Sequence, residues 1–65
     1  MKFKDVLVGQ EFIHPWAGRM RKIEAIEMFG NTTGVKYYVD AEYTEERLKG
    51  TKCSISDITE VVCVP

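Results

Sequence analysis

The 65-residue chain predicts a mainly all-β protein, a small five-stranded SH3-like or OB-like barrel with one short helical turn near residues 44–49. Three observations lead there. Short apolar runs rich in Val, Ile, Tyr and Phe alternate with turn residues at intervals of about eight to twelve positions. Val35, Tyr37 and Val39 fall on one face of an extended segment, with Lys36, Tyr38 and Asp40 on the other. A chain this short protects its strand edges best by curling the sheet on itself. It has room for one domain, residues 1–65, with a small core, because such chains bury only roughly 60% of their unfolded surface.

The opening residues 3–13 read as a turn feeding a strand that begins at Phe12 and Ile13. His14-Pro15-Trp16-Ala17-Gly18 interrupts it, since Pro15 lacks a ladder N–H and Gly18 suits a turn. Residues 19–29 are ambiguous. Their composition favours a helix, with apolar residues at 20, 23 and 26 and Gly30 available as a C-cap. Charge order opposes it: Arg19, Arg21 and Lys22 would crowd the positive end, and Glu24 and Glu27 would approach the negative end. A strand with one bulge near Ala25-Ile26, paired through the Gly30–Gly34 loop with residues 35–40, is the expectation. Thr44 is expected to cap a helical turn ended by Gly50. Thr51–Ile55 and Thr59–Val64 then read as strands around Ser56-Asp57, with Cys53 and Ile55 alternating onto a half-buried face.

A hydrophobic fraction of 45% with 29% charged residues is that of a folded protein rather than a disordered one. No apolar run approaches the roughly 20 residues of a transmembrane helix, and no signal-peptide pattern opens the chain, so a cytoplasmic protein with no membrane partner is expected. The two cysteines, Cys53 and Cys63, are too sparse for a disulfide scaffold and are expected reduced and buried. The net charge of −1 argues against a strongly basic nucleic-acid domain.

The opening Phe3-x-Asp5-x-x-Val8-Gly9-x-x-Phe12 and the closing Ser56-Asp57-Ile58-Thr59-Glu60-Val61 resemble short uncharacterised SH3-like proteins of tailed bacteriophages and prophages. The resemblance covers about a quarter of the chain, at its two ends. It implies a compact barrel of phage or bacterial origin, located in the host cytoplasm if phage-encoded, and brings no catalytic or binding residue with it.

Candidates for catalysis are few. The chain has one histidine, His14, and lacks nucleophile-elbow, phosphate-loop and zinc-protease motifs. Cys53 and Cys63 are ten residues apart, without the paired spacing of a zinc site. A non-catalytic role without metal or cofactor is expected. The binding candidates are His14, Trp16, Arg19, Arg21, Lys22 and Tyr38. Trp and Arg are the residue types most enriched at binding hot spots, and basic residues among rings also suit single-stranded nucleic acid. The competing reading is that Trp16 plugs one end of the barrel. Three partner classes follow: a host or phage protein, single-stranded nucleic acid, or further copies joined through β edges. The oligomeric state is open at this level.

Overall fold

The computed structural model, which describes residues 1–65, consists of a single antiparallel sheet of five strands. These are β1 (Glu11–His14), β2 (Gly18–Phe29), β3 (Lys36–Tyr43), β4 (Lys52–Cys53) and β5 (Val62–Cys63). Their spatial order is β4-β3-β2-β1-β5, a meander of β1 to β4 after which β5, the last strand of the chain, returns to pair with β1. Residues 19–29 are therefore strand and not helix.

The expected closed barrel is corrected to an open sheet, since β4 and β5 remain its two edges. Both are only two residues long, against the longer runs read from the sequence, and so offer almost no ladder to each other. The chain leading into β5 pairs instead with the N-terminus. Phe3 N–H donates to Thr59 O at 2.9 Å, Val61 N–H donates to Met1 O at 2.7 Å, and Lys2 bridges Glu60.

The core is six buried residues, Phe3, Val6, Phe12, Met20, Ala41 and Val61. Phe12 pairs with Met20 on one side and Cys63 on the other, and its ring meets Phe3 edge to face at 5.3 Å. Lys22 shares this inner face, opposite Ala41. Its stem runs past the core, its ammonium lies 4.5 Å from the Phe3 ring centroid, and it donates to Phe3 O at 3.0 Å. It thereby ties the N-terminal turn to the sheet.

The irregularity in β2 is larger than the expected single bulge. Lys22 faces Ala41 and Ile26 faces Val39, so Ile23, Glu24 and Ala25 together stand opposite Asp40 alone. An even slip leaves the inner and outer faces unchanged, because side chains alternate with period two. Beyond it β2 and β3 continue as a two-stranded arm outside the core. Along the inner face of β3 the exposure rises from 5% at Val39 to 44% at Tyr37, and it reaches 63% at Val35 just before the strand. The alternation read from the sequence is present, but nothing covers its outer half. The chain as a whole is elongated, 38 × 26 × 20 Å.

The helical turn near 44–49 is a single 3-10 turn, Glu46–Leu48. Thr44 does not cap it. Glu45 occupies the cap position without a side-chain bond, Thr44 N–H donates to Arg19 O at 3.3 Å, and the Thr44 hydroxyl is buried without a partner. Continued pairing of the chain with β2 takes precedence over the local cap.

Phe12→Ala removes the ring on which both neighbouring strands rest and should cost about 3–5 kcal/mol. That is much of the roughly 3–10 kcal/mol available to a domain of this size. Ile26→Ala, on the exposed arm, should cost about 1 kcal/mol or less. Urea unfolding at low protein concentration checks the contrast, and equal losses would contradict the division into core and arm.

Candidate functional site

Two strands and a tight turn build the most exposed aromatic site. β1 and β2 are joined by Pro15-Trp16-Ala17, with His14 paired to Gly18. Gly18 has φ 83°, the left-handed conformation that closes a three-residue hairpin loop, and Pro15 presets the start of the turn. The His14 Nδ1 accepts the backbone N–H groups of Trp16 and Ala17, both at 3.1 Å. The other ring nitrogen therefore carries the imidazole proton of neutral His14. The His14 and Trp16 rings meet edge to face at 5.8 Å.

The turn holds Trp16 out in solvent, 92% exposed, so it does not plug the domain. Beside it a shallow groove of about 260 Å³ is lined by Met1, Ile13, Pro15, Glu60, Val61 and Val62. Ile13 and Val62 face each other across the β1–β5 pair on the outer face, both exposed. An apolar strip thus runs from β5 across β1 to the Trp16 turn. Sequence reasoning missed Ile13 and Val62. Each belongs to a doublet, Phe12-Ile13 and Val61-Val62, in which period two sends one residue inward and the other outward. The doublets were legible, but which member is buried depends on the sheet.

The basic candidates do not form one patch. Arg19 and Arg21 lie on the outer face, and both are drawn to Glu11, Arg19 Nε at 3.4 Å and Arg21 Nη2 at 2.9 Å. Arg21 also approaches Glu42 at 3.8 Å, and Lys52 lies 4.0 Å from the same carboxylate. Glu11, Arg21, Glu42 and Lys52 stand in one cross-strand row of alternating sign. Such half-exposed pairs contribute little stability each, but they neutralise the arginines locally. Lys22 points to the inner face, held on Phe3. Tyr38 is exposed on the arm opposite Glu27, nine residues along β2 from the Trp16 turn, a strand path of roughly 30 Å. Of the six candidates only His14 and Trp16 are in contact; Arg19 and Arg21 are gathered on Glu11 on the outer face, and Lys22 and Tyr38 are placed elsewhere.

A second cleft, about 340 Å³, lies along the charged row between Glu11, Arg21, Glu42 and the Thr44–Gly50 loop. Its carboxylates and guanidinium already satisfy one another.

Both cysteines are free and half-buried on the edge strands. Burial, reinforced by the Asp40 carboxylate, pushes the Cys53 thiol above its ordinary value. No group of three or more His, Cys, Asp or Glu side chains is arranged to hold a metal ion, and no helix is long and apolar enough to cross a membrane. No family model, curated protein or solved structure matches the chain.

Trp16 fluorescence should show the red-shifted emission of indole in water and move little on unfolding; a strong blue shift in the native state would place the ring in an apolar pocket instead. Cys53, disfavoured as a thiolate, should react with a thiol reagent more slowly in the folded chain than in urea. Its raised value also has a sign in stability. The contribution is unaffected below the unfolded thiol's ordinary range and is lost as pH rises through the folded value. Cys53→Ser should therefore flatten the alkaline decline of stability, measured by urea midpoints across that range.

Proposed function

We propose that this protein is a small non-catalytic binding module that docks on a protein partner through the Trp16 turn and the apolar strip beside it. The observation that carries the reading is Trp16, 92% exposed on a turn closed by Gly18 and held by two hydrogen bonds to His14. A large ring fixed in water costs little ordering entropy when a partner covers it. Ile13, Pro15 and Val62 supply apolar surroundings, and Arg19 and Glu60 supply a polar rim. The resemblance of the two chain ends to short phage proteins supports a host protein as the partner and the host cytoplasm as the location. The strand order, in which the last strand of the chain returns beside the first, supports an SH3-like relationship for the domain.

The non-catalytic reading is supported by the state of the reactive groups. His14 Nδ1 is committed to backbone N–H groups, and burial together with the Asp40 carboxylate disfavours the Cys53 thiolate that a nucleophile would need. Single-stranded nucleic acid is disfavoured as partner because Arg19 and Arg21 are paired with Glu11 and Lys22 faces the core.

Trp16→Ala should lower partner affinity at least tenfold, as loss of a hot-spot tryptophan does, with stability changed by about 0.5 kcal/mol or less. Capture from bacterial lysate by the wild-type chain, with loss of the same protein on the Trp16→Ala chain, checks it. An amide NMR titration with short single-stranded DNA at low salt runs beside it. Salt-sensitive shifts confined to Trp16, Arg19 and Arg21 would replace the protein reading with the nucleic-acid one.

A further inference from the structure

The arm carries a second surface, independent of the Trp16 end. Ile26, Met28, Phe29, Val35, Tyr37 and Tyr38 are all exposed on it, and none belongs to the core. β1 pairs with β2 only as far as Arg21, with Lys22 N–H donating to Gln10 O just beyond. From Ile23 to Phe29 β2 therefore has a strand neighbour on the β3 side alone. A two-stranded ribbon is marginal in water and gains most from a third strand. Exposed edges are commonly blunted by lysine, proline or a bulge; residues 23–29 contain no lysine, proline or arginine, and the irregular stretch at residues 23–25 is the one such feature on this edge.

We propose that this edge pairs with the same edge of a second copy of the chain, antiparallel about a two-fold axis through Ile26. The segment is complementary to itself in that register. Ile26 meets Ile26 of the other copy, Phe29 meets Ile23, Met28 meets Glu24 and Glu27 meets Ala25, so no two carboxylates are opposed. Moving the axis to Glu27 would set Glu27 against its own copy. An axis between residues would join the inner face of one arm to the outer face of the other, since faces alternate with period two. About Ile26 the inner faces continue one another, with the bulged residues 23–25 of each copy set against residues 27–29 of the other. This is an isologous contact, closed at two copies. It buries on the order of 1,000 Å² in total, near the lower limit for a specific interface, so the dimer is weak and concentration-dependent.

The test begins with sedimentation of the wild-type chain across a wide concentration range. The expected result is a reversible rise from monomer to dimer mass, and Ile26→Lys, which sets two ammonium groups face to face on the axis, should hold the chain monomeric at every concentration. A monomer mass throughout for the wild type would overturn the proposal. Register is read in a Cys53→Ser, Cys63→Ser chain whose amide spectrum remains native. Oxidation should cross-link Ile26→Cys into a covalent dimer far faster than Tyr38→Cys on the opposite edge. Faster cross-linking at Tyr38→Cys would mean a different interface and would also overturn it. Trp16→Ala should dimerise as the wild type does, which separates failure of this contact from failure of the Trp16 surface.

Discussion

Phe12 is the residue on which the architecture rests. It is fully buried, pairs with Met20 and Cys63 at once, and meets the Phe3 ring of the N-terminal turn edge to face. Through it the middle of the meander, the returning last strand and the first turn of the chain are held by one side chain. With so few buried residues, the domain has enough apolar mass to cover only the half of the sheet around this point.

Both candidate surfaces follow from that limit. Over the covered half, outward members of apolar doublets, Ile13 and Val62, emerge on the outer face beside a turn that presents Trp16. Over the uncovered half, β2 runs seven residues past Lys22, its last residue bonded on the β1 side, and leaves an apolar ribbon. Between them the row Glu11, Arg21, Glu42 and Lys52 keeps the outer face polar and pairs off cations that would otherwise attract phosphate. The molecule therefore has an aromatic end and an apolar arm, separated by a band of balanced charge.

Lys22 shows how position on a strand overrides composition. Arg19, Arg21 and Lys22 look like one basic cluster in the chain, yet period two sends Lys22 to the opposite face from the arginines. There its long stem covers apolar surface while the ammonium finds Phe3 O and the Phe3 ring. Its role is to fasten the N-terminal turn.

The elements that depend on local chemistry were legible in the residues alone. Pro15 and Gly18 mark the first hairpin turn, and the alternation of residues 35–40 gives a strand with its correct faces. The misplaced charges of a helix over 19–29 point to strand there. Each signal is local, because turn conformation, side-chain period and end charges act over a few residues. Other features were decided by tertiary structure: the open seam between β4 and β5, the two-residue slip in β2, the separation of Tyr38 from Trp16 and the exposure of Ile13 and Val62. These depend on which strands meet and how far the core extends. That extent is a balance of total buried area against chain length, which no short stretch of residues contains.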